Sequence, residues 1–389
     1  MARLGDICKF QSGGTPSKNN SKFYNGTIPW ITTVALNGNT IGEESALEWI
    51  TDEAIQESSA KIVPQQSIMV GTRVGIGKVA INSVPMSTSQ DIISLVDIDE
   101  SIWDKHFLCK FILSKNDLLI SQSRGATIKG IRIDTLSNLI VPDILIDEQR
   151  KIAAVLDKVS DLIAKRRQQL DKLDELIKAR FVEMFGDPRI NNLGMELMPM
   201  TELCNIIDGD RGKNYPTQDE FSDEGYCLFL NAKNVTTNGF DFENCMFITK
   251  EKDELLRKGH LNRGDIVLTT RGTIGNLAFY DNSVPYENIR INSGMVILRM
   301  NHGLVSEHFF IEQFKMQLSL IKEKIASGSA QPQLPISTMN KIMMLVPSIE
   351  LQNQFAAFVK QTEKTKTTIS KSLEKLETLK KALMQEYFG

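Results

Sequence analysis

The sequence predicts an α/β (α+β) protein: two mixed α/β domains and two long antiparallel coiled-coil helices, related by an internal pseudo-two-fold repeat. Three observations predict it. A unit of about 200 residues is written twice, two long stretches keep a helical period, and β-rich runs alternate with Gly, Asn, Ser and Pro turns.

The repeat comes first, because missing one misassigns the whole fold. Leu170–Ile177 (LDKLDELI) returns as Leu373–Lys380 (LEKLETLK) at an offset of 203. The same offset pairs Ala153-Ala154 with Ala356-Ala357, Ala179 with Ala382, and Glu183-Met184-Phe185-Gly186 with Glu386-Tyr387-Phe388-Gly389. Upstream, Ile68–Arg73 (IMVGTR) matches Ile266–Arg271 (IVLTTR) at an offset of 198, followed by Ile76-Gly77 and Ala80 against Ile274-Gly275 and Ala278. Near the start, Ile28–Ile31 stands opposite Cys227–Leu230 at 199. Such drift is what insertions in surface loops produce.

Gln149–Gly186 has Ile152, Val155, Leu156, Val159, Leu162, Ile163, Leu170, Leu173, Leu176, Ile177 and Phe181 at steps of three to four, without Pro or an internal Gly. Pro142 and Asp147 mark its start. Thirty-eight residues at 1.5 Å each give about 57 Å of helix, which calls for a helical partner. The twin, Gln352–Gly389, offers Phe355, Phe358, Val359, Ile369, Leu373, Leu376, Leu379 and Leu383, with a polar middle, Lys360–Thr368, where a looser seam is expected. The pairing residues are taken as Ile152, Val159, Ile163, Leu170, Leu173 and Ile177 against Phe355, Ile369, Leu373, Leu376 and Leu383. Parallel and antiparallel packing both stay open at this point, with antiparallel preferred. The expected segments are a first globular domain over 1–146, a helix over 147–186, a second globular domain over 187–347 and a helix over 348–389.

Within the globular parts, strands are expected at Ile28–Val34, Ser67–Val70, Val79–Ile81 and Ile92–Val96, and again at Cys227–Asn231, Asp265–Thr269, Leu277–Tyr280 and Met295–Leu298. A helix follows in each copy (His106–Ser114; His308–Ile325), then a Gly-containing loop and a short apolar run closing on Val-Pro. Asp187–Leu203 reads as a non-helical link, with Pro188, Gly194 and Pro199.

Composition bounds the function. The 389 residues are 41% hydrophobic and 24% charged, so a sizeable core can form and disorder is disfavoured. No run of about 18 apolar residues exists and the first residues lack a secretory core, so a membrane span and secretion are not expected. Five scattered cysteines (Cys8, Cys109, Cys204, Cys227, Cys245) without a CxxC pair read as free thiols of a reducing cytoplasm. A net charge of −3 excludes a uniformly basic surface but not a local positive groove.

Gly75-Ile76-Gly77-Lys78-Val79-Ala80 fits GxGxxA, but a β-type run follows and the second copy breaks the pattern at Gly272-Thr273-Ile274-Gly275-Asn276, so a plain turn is the reading. Asp143, Asp147 and Glu148 look like a nuclease carboxylate cluster; their position before a long helix reads better as its acidic first turn. His106, His260, His302 and His308 show no ligand spacing, and no methyltransferase loop is present. No catalytic residues and no metal ligands are assigned.

Polar, basic and aromatic loop residues recur in both copies. In the first these are Lys18, Asn19, Lys22, Tyr24, Arg73, Lys78, Gln90, Arg124, Lys129 and Arg132. In the second they are Arg211, Lys213, Asn214, Tyr215, Lys233, Asn234, Arg271, Asn276, Arg290, Asn292, Gln331 and Gln333. Arg, Lys, Asn and Gln are the side chains that reach base edges and phosphates, so these are the candidate DNA contacts. Any one of them taken singly is equally well a solvated loop residue.

The chain resembles the specificity subunits of Type I restriction–modification systems. The likeness rests on Leu4-Gly5-Asp6-Ile7 with Gly14-Thr15-Pro16-Ser17, on Gly264-Asp265-Ile266-Val267-Leu268-Thr269-Thr270-Arg271-Gly272-Thr273-Ile274-Gly275, and on Leu334-Pro335-Ile336 through Val346-Pro347 into a helix ending Phe-Gly. The tandem order of globular part and helix is its most specific feature. The first copy departs at Gln66-Ser67, where the second has Gly264-Asp265, which bears on turn geometry and not on role.

The resemblance implies a non-catalytic DNA-recognition subunit. Each globular part would read one half of a bipartite, asymmetric target in double-stranded DNA, while the helices set the spacing and dock two modification subunits. It implies no cofactor in this chain, with S-adenosylmethionine, ATP and Mg on the modification and restriction/translocase subunits of a prokaryotic cytoplasmic complex. The alternative is a coiled-coil scaffold whose globular parts bind protein.

Overall fold

The structure is a computed structural model that describes residues 2–124, 130–326 and 333–389. Its chain forms two compact units: Met1–Arg167 with Lys371–Gly389 (unit 1), and Gln168–Ser370 (unit 2). The frame rests on four main helices, α1 (Lys105–Ser114), α2 (Ile146–Phe185), α3 (Glu307–Ala326) and α4 (Ile349–Phe388). The unit boundary falls inside α2 and inside α4, so each unit takes the start of one long helix and the end of the other.

Unit 1 holds a five-stranded sheet in the order Lys9–Ser12, Ile92–Val96, Ile68–Gly71, Val79–Asn82, Thr40–Ile41. All its pairs are antiparallel except the last. A second sheet runs Glu48–Ile50, Tyr24–Ile31, Met86–Thr88, Ile62–Val63, with Trp30 parallel to Ser87.

Unit 2 repeats this plan. Cys204–Asp208, Met295–Met300, Ile266–Thr269 and Leu277–Phe279 form the first sheet, and Phe247–Ile248, Cys227–Leu230 and Ile289–Ile291 the second, with Phe229 parallel to Arg290. The buried runs Ile68–Gly71 and Ile266–Thr269 lie in mid-sheet, which explains why they read as continuous apolar strands and not as alternating ones. Asp187–Leu203 was expected to be wholly non-helical. Its end instead forms the strand Leu197–Pro199, paired with Met343–Leu345, and one turn of helix, Met200–Leu203, because Met200 and Leu203 bury into the core.

The main cores lie between the first sheet and the helices. In unit 1, Ile152, Ala153 and Leu156 of α2 share a cluster with Phe107, Phe111 and Leu136, and with Leu383, Met384 and Phe388 of α4. In unit 2, Ile177, Phe181 and Phe185 cluster with Phe309, Phe355 and Val359. Within each unit the two long-helix segments run antiparallel. Arg167 pairs with Glu377 at 2.7 Å in unit 1, and Asp174 with Lys366 at 2.7 Å in unit 2.

Of the residues expected to pair the helices, Ile152, Val159, Ile163, Ile177 and Phe355 are buried, whereas Leu170, Leu173, Ile369, Leu373, Leu376 and Leu383 are half-buried. The polar middle of α4 is tied by charge: Lys366 also pairs with Glu363 at 3.0 Å. Burial opposes the charge on Lys366, but the two carboxylates outweigh it and raise its pKa.

The phenylalanines that end the two copies do equivalent work. Phe388 lies 5.2 Å from Phe107, and Phe185 lies 4.8 Å from Phe309. The glycine turn is also confirmed. Gly77 (φ 75°) and Gly275 (φ 93°) close equivalent hairpins, and a Cβ there would fall 2.0 Å from the Asn116 Oδ1 atom and 2.2 Å from the Leu318 side chain. The left-handed backbone at both positions favours glycine, and any other residue would also have to push the Asn116 or Leu318 side chain aside.

Candidate nucleic-acid interface

The repeat builds one cleft twice. Where the central strand of each first sheet ends, the chain continues as Thr72-Arg73 or Thr270-Arg271. Thr72 anchors through its N–H (2.8 Å) and its hydroxyl (3.1 Å) to the Asp91 carbonyl; Thr270 anchors to the Gly294 carbonyl at 2.8 and 2.9 Å. A returning segment then pairs with that strand end. The Ile131 N–H donates to the Thr72 carbonyl at 2.8 Å, and the Leu334 N–H to the Thr270 carbonyl at 2.9 Å. The neighbouring arginine is left facing outward on a backbone fixed from both sides.

In unit 1 this arrangement opens into a cleft of about 1220 Å³ that gathers Arg73, Arg124 and Arg132 with Gln122, Asp134 and Thr135. Reciprocal 2.9 Å bonds between Arg124 and Gly130 fix its rim. In unit 2 the equivalent cleft is about 310 Å³ and gathers Arg211, Arg271 and Gln333 with Asp208 and Ser337. Arg211 is aimed by Asp208 (3.1 Å) and the Ser293 carbonyl (3.2 Å).

The loop carrying Arg211 and Lys213 is pinned at its root by Asp210, which accepts from the N–H groups of Gly212 (2.6 Å) and Arg257 (2.8 Å). Those donors, Gly212 first, hold the Asp210 carboxyl below the usual carboxylate range. Each cleft is thus basic, and in each a carboxylate stands beside one arginine only: Asp91 lies 3.9 Å from Arg73, and Asp208 3.1 Å from Arg211. A local positive groove coexists with a net charge of −3.

The remaining expected contacts divide by environment. Lys22, Lys78, Lys213 and Lys233 are exposed, as is Lys18, which pairs with Glu48 at 3.4 Å. Asn19 and Gln90 lie on exposed turns. Lys129 and Gln331 lie outside the described residues.

Two expected contacts are corrected. Arg290 is buried, ion-paired with Asp253, and donates to the carbonyls of Lys258 (2.7 Å), Asp253 (2.8 Å) and Leu256 (3.1 Å), so its fork is already filled. Asn234 is buried with its amide spent on the Asp241 and Asn244 carbonyls, both at 3.0 Å, and its oxygen on the Asn231 N–H.

Five others are engaged in the fold. Tyr24 donates to the Pro16 carbonyl (2.8 Å), Asn214 to Leu255 (3.1 Å) and Asn276 to Val235 (2.9 Å); Asn292 accepts from Gly294 (2.9 Å), and Tyr215 packs edge-on to Phe229. Gln122, Thr135, Asp208 and Ser337 line the clefts although the sequence reading passed over them; of the four only Ser337 has a cleft-lining twin, Asp134, at the offset of 203, so the repeat carries little signal for them.

All five cysteines are free; burial pushes the Cys8, Cys109 and Cys204 thiols up to about 12. Among the described residues no His/Cys/Asp/Glu group is placed to hold a metal ion, and no helix is long and apolar enough to cross a membrane.

A duplicated mixed α/β frame with two unlike clefts at one repeated position defines a class: a tandem protein with two differently lined surfaces of common geometry. The chain belongs to the family described as Type I restriction modification DNA specificity domain, whose model matches residues 1–175 and 192–380. It is a specificity subunit of a Type I restriction–modification system, a non-catalytic chain of such systems.

Among its relatives is the Type I restriction enzyme MjaIX specificity subunit of Methanocaldococcus jannaschii, 26% identical over 92% of this chain and 85% of that protein. The EcoR124I/EcoR124II specificity subunit of Escherichia coli is 33% identical over 46% of this chain and 45% of that one. The fold is shared with the S subunit of M. genitalium at TM-score 0.61 and 18% identity, covering 100% of this chain and 95% of that one.

Proposed function

We propose that each unit reads one half of a bipartite, asymmetric target in double-stranded DNA through its Thr-Arg cleft. The two long helices set the separation of the half-sites and dock two modification subunits. One observation carries the reading: the cleft recurs on the same backbone while its side chains differ, which is what two readers of unlike half-sites require. Arg73, Arg124 and Arg132 serve unit 1, and Arg211, Arg271 and Gln333 serve unit 2, with Lys18, Lys22, Lys78, Lys213 and Lys233 available to phosphates. Restriction/translocase subunits complete the cytoplasmic complex. Methyl transfer with S-adenosylmethionine, and ATP- and Mg-dependent steps, belong to the partners. A basic cleft on an overall acidic chain predicts weak DNA binding by the chain alone, with partners supplying phosphate neutralisation.

The test is selection from a random duplex pool by the complex assembled on this chain. A split motif with a fixed gap supports the reading, and Arg73→Ala and Arg271→Ala each relax a different half. A protein-binding scaffold would enrich no motif.

A further inference from the structure

We propose that Arg271 and Gln333 form a two-residue reader of adjacent base pairs, Arg271 taking guanine and Gln333 adenine, in the half-site of unit 2; this rests on the DNA-reading function above. The two residues are direct partners in an antiparallel bridge, locked beside it by the Leu334 N–H to Thr270 carbonyl bond of 2.9 Å. Opposed residues in such a bridge carry Cβ atoms about 4.5–5.5 Å apart, so their tips can reach neighbouring steps of a duplex that rises about 3.4 Å.

Both residues are exposed, and among the described residues neither the guanidinium of Arg271 nor the amide of Gln333 has an intramolecular partner. Free planar groups on a fixed backbone suit bidentate readout: Arg to guanine O6 and N7, Gln to adenine N6 and N7.

The other copy serves as an internal control. The twin of Gln333 is Gly130, and a Cβ there would sit 3.1 Å from the Arg73 Cγ atom. Arg73 also leans on Asp91 at 3.9 Å. In unit 1 the arginine therefore stands beside a position without a side chain, and it reads one base pair there, not two. Packing does not demand a glutamine in unit 2, since Gln333 is exposed while its neighbour Leu334 fills the core.

The experiment compares wild-type, Gln333→Ala, Arg271→Ala and Arg73→Ala chains in the assembled complex, selecting from a random duplex pool and confirming unchanged unfolding midpoints. The expected result is that Gln333→Ala relaxes an A·T position by roughly 5- to 150-fold, immediately beside the G·C position relaxed by Arg271→Ala. Arg73→Ala relaxes a single position in the other half. A Gln333→Ala motif identical to wild type, or a relaxed position not adjacent to that of Arg271, overturns the pair while leaving DNA reading intact. Failure of the wild-type complex to enrich any motif removes the underlying reading instead.

Discussion

Gln149 and Gln352, 203 residues apart, tie the starts of α2 and α4 to their units with the same three hydrogen bonds. The Gln149 amide donates to the carbonyls of Ile102 and Ile144 and its oxygen accepts from the Asp104 N–H, all at 2.9 Å. The Gln352 amide donates to Leu304 and Pro347 and its oxygen accepts from Ser306, again all at 2.9 Å. Both residues are fully buried. Replacing either with Leu orphans one N–H and two carbonyls, at about 1–3 kcal/mol for each buried group left unpaired, partly relieved by water. Trp30, Trp49 and Trp103 all lie in unit 1, so tryptophan fluorescence reports that unit. Gln149→Leu is expected to lower the urea midpoint read by fluorescence by the equivalent of about 2–4 kcal/mol. Gln352→Leu is expected to show its loss first by circular dichroism.

Gln66 and Gly264 occupy the same turn, both with positive φ, 61° and 95°, and both donating from the backbone across the hairpin, to Asn82 at 2.7 Å and Tyr280 at 2.9 Å. A left-handed conformation is costly for a residue with a Cβ and nearly free for glycine. Gln66→Gly is therefore expected to stabilise unit 1 by about 0.5–1 kcal/mol, read as a rise in the fluorescence-detected midpoint; an unchanged or lower midpoint would show that the turn carries no strain.

Gln313 is wholly buried, yet neither its amide nitrogen nor its oxygen has a hydrogen-bond partner in the structure. Its twin is Phe111, which packs against Phe388 at 5.9 Å. An apolar side chain of similar reach removes the desolvation penalty of an unpaired amide, about 1–3 kcal/mol. Gln313→Leu is expected to raise the thermal midpoint of unit 2. A fall would show that Gln313 holds an internal water that the apolar variant expels.

The frame was legible because two copies constrain it. The strands Val79–Asn82 and Ile92–Val96 and the helices Lys105–Ser114 and Glu307–Ala326 fall within a residue or two of their sequence-based ranges, since apolar period and turn residues are local signals. The cleft was only partly legible. Arg73 and Arg271 stood out because they repeat, whereas Arg290 and Asn234 carry the same chemistry and are buried. Their fate depends on Asp253, 37 residues from Arg290, and on the carbonyls of Asp241 and Asn244, 7 and 10 residues beyond Asn234 across an irregular loop, which no periodic pattern reveals.

Arg290 also separates stability from reading. Its guanidinium closes a buried pair with Asp253 against the Cys227 thiol, whose pKa is pushed up by burial first and by the Asp253 charge second. Arg290→Met leaves that carboxylate buried without its cation, a loss of about 3–5 kcal/mol for a broken buried pair. Arg271→Ala removes an exposed side chain and is expected to change stability by no more than about 0.5 kcal/mol. The two variants should therefore part company. Arg290→Met unfolds at markedly lower denaturant, yet its folded fraction selects the wild-type DNA motif, whereas Arg271→Ala unfolds like wild type and selects a relaxed one. A relaxed motif from folded Arg290→Met protein would return this arginine to the interface and require the second sheet of unit 2 to open on binding.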